Sequence, residues 1–441
     1  MKRFLFLMVE AGGNVPPQMS IARRLAARGH DVHVLADRAV EREAAIGGCR
    51  FHTFVHAPQH NMRDRQADVI RDWEPVSPLA QIRRIGDHVM FGPSAAYARD
   101  LLETIDRVRP DALAVDCLSF GAIIGAEKSG IPAALLVHFP IHAPAEGVTP
   151  FGLGLHPARG LLGRFRDRAL LAVMRRLFRF GLAPVNAARQ ELGLAPVREV
   201  FDQLHALSRS LVLTSHEYDF VPPGLPEQVR YVGPQLDDPA WPEPWTPTRS
   251  ADSRLPLVVT SLGSTYQRQE KTFGAIVQAL GKLPVRGFAT LGAIGPPASP
   301  APRNVTVIPS APHASVFPLA SAVVCHGGHG TVMKALAHGL PLVVMPFGRD
   351  QKDNGARVEV VGAGLSLSPN ASPARIAVAI RRVLEEPGFR EGAQRMAAII
   401  GRDVREDRAV VEMETLATRH QSPTPVVVRP SQLCHSAGVG A

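Results

Sequence analysis

Tyrosine and tryptophan are scarce, with four and three in 441 residues. That scarcity argues against a nucleic-acid surface built on stacked aromatic rings. Cysteine is also rare. Cys49, Cys117, Cys325 and Cys434 form no C-x-x-C pair, and their spacing suits neither a zinc site nor a disulfide framework. A reducing cytoplasm is the expected location. No run approaches the roughly 20 apolar residues of a membrane span. The opening segment MKRFLFLMVEAGGN imitates a signal peptide only briefly. Its apolar run, Phe4–Val9, is too short for that role and lacks a small-residue cleavage pattern, so it reads as a buried first strand. A dense Lys/Arg block is absent too. The formal charge of +9 comes mostly from arginines spread along the chain, as expected of solvated faces rather than a nucleic-acid footprint. No repeat of solenoid length is present.

Hydrophobic residues make up 45% of the chain and charged residues 20%, the balance of a globular protein. The length suits two domains of about 200 residues. Short apolar runs alternate with amphipathic helical patterns. FLFLMV (4–9), RGHDVHVLAD (28–37), ALAVDCL (112–118), PAALLVH (132–138) and SLVLTS (210–215) read as strands. A helix over about 16–28 carries Met19, Ala22, Leu25 and Ala26 on one face. A second series runs through LPLVVTSLGS (255–264), GFATLG (287–292), NVTVIP (304–309), AVVCHGG (322–328) and PLVVMPF (341–347). Such alternation implies parallel strands with helical crossovers, an α/β class of doubly wound domains.

The boundaries follow composition. Residues 1–233 form one domain and 255–401 a second. The Pro-, Asp- and Ser-rich stretch 234–254 is a linker. A C-terminal helix over about 402–419 is expected to pack back on the first domain, and 420–441 reads as a disordered tail. GLLGRFRDRALLAVMRRLFRFG (160–181) is apolar on one side and Arg-rich on the other. It reads as a surface helix over a cleft, with weak peripheral membrane contact as the alternative.

CHGGHGT (325–331) carries the most chemistry. It follows a strand and precedes the helical pattern TVMKALAHG. Gly327, Gly328 and Gly330 allow a sharp turn and close approach to a ligand, and Thr331 lies where helix N–H groups are unsatisfied. A turn of this kind binds a diphosphate through free N–H groups and the helix dipole. His326, at the strand end, can add a hydrogen bond. A structural turn is the plain alternative for His-Gly-Gly alone.

The continuation, HGGHGTVMKALAHGLPLVVMPFGRDQKDNGARVEVVGAGL (326–365), resembles the nucleotide-sugar signature of the family 1 glycosyltransferases. That class includes plant UDP-glycosyltransferases and bacterial antibiotic glycosyltransferases. H-G-G-x-G-T, G-x-P-x-x-x-x-P, D-Q-x-x-N and G-x-G occur in the family's order. VTSLGST (259–265) and APHASVFP (311–318) match two further segments. The resemblance implies a GT-B fold, two Rossmann-like domains facing across a cleft. It assigns Ser264, Thr265, His326, Gly328, Thr331 and Asn354 to the diphosphate, with Gly327 and Gly330 shaping the loop. Asp350 and Gln351 are assigned to sugar hydroxyls and His313 to the nucleobase side. His329 then reads as a wall residue. The sequence contains no D-x-D motif, so no metal is expected, and the nucleotide sugar is a co-substrate rather than a cofactor. UDP-using relatives often place a ribose-gripping glutamate where this chain has Lys334, which favours a dTDP-sugar over a UDP-sugar.

The N-terminal domain is expected to hold the acceptor and a general base. The family's histidine after the first strand is replaced: the chain reads GGNVPP (12–17), with Asn14 at that place. Asparagine cannot act as a base. The histidine's usual carboxylate partner matches Asp116 in AVDCLSFG (114–121). The base candidates are Asp116, Glu10 and His138, in that order, and His138 is expected at the acceptor. His30 reads as a turn residue. The expected reaction is inverting transfer of a hexose or deoxyhexose from a dTDP- or UDP-sugar to a lipophilic small molecule, such as a polyketide or phenolic product. The alternatives are a nucleotide-sugar epimerase on the same scaffold and a non-catalytic nucleotide-sugar binding protein. Only an epimerase would change the sugar without an acceptor, and a binder would do neither.

Overall fold

A computed structural model describes residues 1–140, 148–222, 224–239, 245, 254–295 and 300–418. Two parallel sheets organise them. The strands of the first are β1 (Arg3–Met8), β2 (Asp31–Ala36), β3 (Arg50–Thr53), β4 (Ala112–Asp116), β5 (Ala133–Val137), β6 (Arg209–Val212) and β7 (Val229–Tyr231). Their spatial order is β3-β2-β1-β4-β5-β6-β7. The second sheet contains β8 (Leu257–Ser261), β9 (Arg286–Thr290), β10 (Val305–Ile308), β11 (Ala322–Cys325), β12 (Leu342–Val344) and β13 (Gly364–Ser366). Their order is β10-β9-β8-β11-β12-β13. The expected doubly wound α/β architecture is therefore present twice.

β1 shows why its sequence is apolar without alternation. Leu5, Leu7 and Val9 pack on one face, with Phe54, Tyr97, Leu101 and Phe120. Phe4, Phe6 and Met8 pack on the other, with Ile21, Leu25, Met413 and Leu416. A parallel strand covered on both faces needs apolar side chains in both registers of its period-two repeat. The helix Val15–Ala27 starts one residue earlier than expected, because Pro16 and Pro17 occupy its first turn, where the missing N–H groups cost nothing.

Three strands were not legible in the sequence: β3, β7 and β13. They read RFHT, VRY and GLS, too short or too polar for periodicity to mark. The C-terminal helix also differs from expectation. The chain forms one helix over Pro387–Glu406 and another over Arg408–Thr418, broken at Asp407, whose φ is +47°. The break redirects Ala409, Val410 and Met413 into the core beneath β1. Asp407 itself pairs with Arg24 and Arg28 of the N-terminal domain. The 160–181 segment is a helix over Gly160–Phe178 with a further short turn. Most of the linker and the 420–441 tail lie outside the described residues.

In each sheet the strand order reverses direction around its first strand, between β1 and β4 and between β8 and β11. Ligands of open α/β sheets bind in the crevice outside the strand ends at such points. Asn14 and Asp116 lie there in the first sheet, and Ser261 and His326 in the second.

Candidate active site

The donor side is built from two glycine-dependent loops. β8 runs into Leu262-Gly263-Ser264-Thr265, and β11 runs into His326-Gly327-Gly328. A Cβ on Gly263 would lie 2.9 Å from His326 Nε2, and one on Gly328 would lie 2.4 Å from it. Both glycines therefore make room for the imidazole between the loops. Burial pushes His326 down to about 4, so the ring is neutral near pH 7. Its buried Nδ1 has no hydrogen-bond partner among the described residues. The helix His329–Ala337 begins at Gly328 without a side-chain cap. Its first N–H groups face the same turn, and the helix dipole adds positive potential there.

His313 stacks on Phe317 at 4.4 Å and meets the Ser261 hydroxyl at 3.2 Å through Nε2. Burial, with the positive charge of Lys334 nearby, pushes it down to about 3. Lys334 does not point into solvent. Its ammonium donates to Asp238 at 2.6 Å, and Asp238 also accepts from the Ala314 amide.

The residues of the D-Q-x-x-N motif divide into two kinds. Asp350 is partly exposed, and burial raises it to about 6. Asn354 has no exposed surface. It donates to Asp350 at 2.8 Å, and its oxygen meets the Tyr218 hydroxyl at 3.1 Å and His329 Nδ1 at 3.2 Å. This geometry orients Asp350 and commits the Asn354 oxygen and one Nδ2 hydrogen to protein partners, leaving one Nδ2 hydrogen for the phosphate role expected from sequence. Gln351 is similarly committed. It accepts from the Phe347 and Gly348 amides and donates to Gln267 at 2.8 Å. It braces the loop, and of the expected pair only Asp350 is partly exposed. His329 joins Asn354 to the Leu213 carbonyl of the first domain, 3.3 Å from Nε2, which makes it a wall residue between the domains.

On the acceptor side, Asp116 has 0% exposure. It accepts from Asn14 Nδ2 at 2.7 Å, Gln18 Nε2 at 2.6 Å and the Leu118 amide at 2.9 Å. Asn14 is equally saturated. Its Nδ2 also donates to the Val9 carbonyl, and its oxygen accepts from the Ala11 amide. Glu10 is buried and accepts from the Gly12 and Met62 amides. Burial raises its pKa. Glu10 thus fastens two backbone segments together and is not placed to take an acceptor proton. His138 is buried too, and its Nδ1 meets Cys117 Sγ at 3.9 Å. Its Nδ1 lies 3.8 Å from Asp116 Oδ1, and its ring packs edge-on against Phe139 at 4.5 Å. Phe139 meets Phe151 at 5.9 Å, next to Gly152, whose amide donates to Asp353 of the second domain. Burial lowers the His138 imidazole, opposed by the Asp116 charge.

Two groups of described residues have metal-ligand spacing: Asp116, Cys117 and His138, and the more exposed His56, Asp100 and Glu103. In the first, Asp116 already holds three donors, and burial lifts the Cys117 thiol far above its ordinary range, away from the thiolate a metal needs. In the second, Asp100 is occupied by the backbone amides of residues 55–57.

Sequence reasoning missed Gln18, Asp238 and Arg349. Gln18 had a visible signal, because four residues after Asn14 places it on the same helix face. Asp238 and Arg349 had none, since their roles depend on contacts made across the fold.

Comparisons with known proteins agree with the fold. The family described as "Erythromycin biosynthesis protein CIII-like, C-terminal domain" matches residues 291–403. The chain is 30% identical over 405 residues to the 4'-demethylrebeccamycin synthase of Lentzea aerocolonigenes, covering 89% of this chain and 94% of that protein. Its fold is similar to that of the kitacinnamycin glycotransferase (TM-score 0.74, 21% identity, 94% of this chain and 98% of that one). It is also similar to that of the glycosyltransferase VinC in complex with dTDP (TM-score 0.64, 18% identity, 95% of this chain and 100% of that one). These relatives support sugar transfer over an epimerase or a binding protein. The chain belongs to the family 1 glycosyltransferases of the antibiotic-biosynthesis type, with a GT-B fold.

Proposed function

We propose that the protein transfers a hexose or deoxyhexose from a dTDP-sugar to a lipophilic phenolic or polyketide acceptor, with inversion and without a metal ion. The carrying observation is the His326 ring between Gly263 and Gly328 at the uncapped start of the helix His329–Ala337. In this reading the diphosphate accepts from the helix N–H groups, from His326, and from the Ser264 and Thr265 hydroxyls. Preorganised donors of this kind stabilise the charge that develops as the diphosphate leaves. Asp350 accepts from a sugar hydroxyl. The Lys334–Asp238 pair supports dTDP, because the lysine is engaged and no glutamate stands there to hold a ribose diol.

The acceptor oxygen forms a bond to the anomeric carbon from the face opposite the departing diphosphate. Its proton passes to His138 Nε2, the ring nitrogen farther from Asp116. Asp116, fixed by Asn14 and Gln18, then faces the imidazolium formed. The 3.8 Å separation of His138 and Asp116 is long for a hydrogen bond but short enough for the carboxylate charge to stabilise the imidazolium. Four findings test the reading: transfer in EDTA, an inverted anomer, tighter competition by dTDP than by UDP, and loss of activity in His326→Ala. Dependence on added Mg²⁺ or Mn²⁺, or retention of configuration, would refute it.

The same lipophilic-acceptor reading fits a weak peripheral contact with anionic bilayers. The helix Gly160–Phe178 exposes Leu161, Leu162 and Phe165 beside Arg164, with Arg175 and Arg176 exposed about three turns further on. Its one acidic residue, Asp167, is buried against Arg166. Apolar side chains flanked by arginines match a negatively charged interface. Among the described residues no helix is long and apolar enough to cross a membrane.

A further inference from the structure

We propose that Arg349 and Asp72 form a closure latch, making donor binding depend on the acceptor domain. The inference rests on the proposed donor site. Arg349 directly precedes Asp350, on the second domain, yet its side chain is held by the first. Its Nε donates to Asp72 at 2.6 Å and its Nη1 to the Ala11 carbonyl at 2.9 Å. Ala11 lies between Glu10 and the loop that carries Asn14. The third nitrogen, Nη2, is buried and has no hydrogen-bond partner among the described residues. Arg349 also adopts φ +53°, a left-handed conformation that a non-glycine residue keeps only when its surroundings enforce it.

Asp72 collects more than the arginine. Gln267 donates to the same carboxylate oxygen at 3.0 Å, and Gln81 to the other at 2.7 Å. Gln267 in turn accepts from Gln351. One carboxylate of the first domain therefore fixes both donor-side loops, that of Ser264 and Thr265 and that of Asp350. Neighbouring aromatic contacts follow the same seam. Trp73 packs against Tyr266 at 5.5 Å, and the Arg65 guanidinium lies 4.1 Å from the Tyr266 ring centre. Across it, Gly12 approaches Thr265 so closely that a Cβ on the glycine would lie 3.0 Å from the threonine methyl.

Opening the cleft would separate Arg349 from both Ala11 and Asp72, leaving the guanidinium without these two partners and the carboxylate with Gln81 alone of the three donors named. Two sites joined through such an element influence each other reciprocally. Donor bound beside Asp350 favours the closed arrangement, and closure sets the loop that ends in Asn14. Arg349 and Asp72 are positioning residues here, since they act through Asp350, Gln267 and the 10–14 loop.

The test is a double-mutant cycle on the full-length protein, with dTDP as the probe in titration calorimetry. Asp72→Asn and Arg349→Gln should each weaken dTDP by about tenfold, within the usual range of coupling between sites. The double variant should also weaken it by about tenfold, because each single change already opens the latch. Asp72→Glu, which keeps the charge, should recover part of the affinity. Thermal midpoints check folding, and a purely structural role would lower them without the shared loss in dTDP affinity. Single variants that bind dTDP like the parent, or a double variant near a hundredfold loss, would overturn the latch. His326→Ala separates this from the donor reading. If it too leaves dTDP affinity unchanged, the donor site itself is misassigned.

Discussion

In the proposed mechanism Asn14 and His138 divide between them what one histidine does in the family pattern. Asn14 holds the Val9 carbonyl, the Ala11 amide and the Asp116 carboxylate, so Asn14→Ala leaves buried groups unpaired. The expected stability loss is about 1–3 kcal/mol, measured by denaturant unfolding. His138→Asn should instead leave stability near that of the parent and slow transfer to an aliphatic alcohol by roughly 10²–10⁴. Phenols, which ionise more readily, should lose less. The pH profile follows from the lowered His138 pKa. The base must be neutral, so the rate falls on the acid side, below the ordinary imidazole range. An Asn14→Ala enzyme of normal stability with transfer abolished would show that Asn14 serves catalysis, through Asp116, rather than the fold. At this scale the sequence was informative about which residue types converge, because Asp116 and His138 both end apolar strands. It could not reveal that Glu10 and Gln351 spend their side chains on backbone amides, since those partners come from folded loops.

The helix His329–Ala337 and the strand ends around it carry three buried imidazoles. Burial pushes His326 and His329 down to about 4 and His313 to about 3. An unfolded histidine titrates near 6.5. Between these values the unfolded chain binds more protons than the folded one, so this contribution to stability is present above about 6.5 and is lost as pH falls toward 4. The thermal midpoint should therefore drop across that window. His329→Gln should flatten the drop, because the glutamine keeps polar reach toward Asn354 and Leu213 without titrating. An unchanged slope would show that His329 is not neutral in the fold. Long apolar elements such as β1 and β8 were legible from their runs alone. β3, β7 and β13 were not, because each gains its stability from a neighbouring strand rather than from its own pattern. The break at Asp407 was hidden for a similar reason. No proline or glycine marks it, and the turn is held by Arg24 and Arg28 from the other end of the chain.

Across the whole molecule, the two sheets place their switch points against one cleft, and the contacts spanning it include those of Arg349, Gln267, His329, Asp353, Asn354 and Arg357 from one side with Asp72, Ala11, Leu213, the 152–154 backbone, Tyr218 and Asp219 from the other. The family motif in 326–365 made the fold and the proposed donor side readable because it is a continuous stretch tied in the family to one chemistry. The cleft-spanning contacts join positions more than 80 residues apart and leave no local signature. The Arg-rich helix Gly160–Phe178 offers a separate check at this scale. Sedimentation with phosphatidylserine vesicles should capture the protein, weaken with salt, and fail for Leu162→Ser/Phe165→Ser. Equal capture by phosphatidylcholine vesicles would count against a charge-matched contact.

The most direct measurement follows nucleotide release and product formation together. Parent and His326→Ala enzymes are incubated in EDTA with dTDP-glucose or UDP-glucose, with and without a panel of phenolic and polyketide acceptors. The account predicts acceptor-dependent release of dTDP, one inverted glycoside per nucleotide, a slower reaction with the UDP-sugar, and a rate roughly 10²–10³ lower in His326→Ala, the cost of removing one preorganised donor. Sugar isomerisation without acceptor, a requirement for added divalent metal, or undiminished turnover in His326→Ala would contradict it.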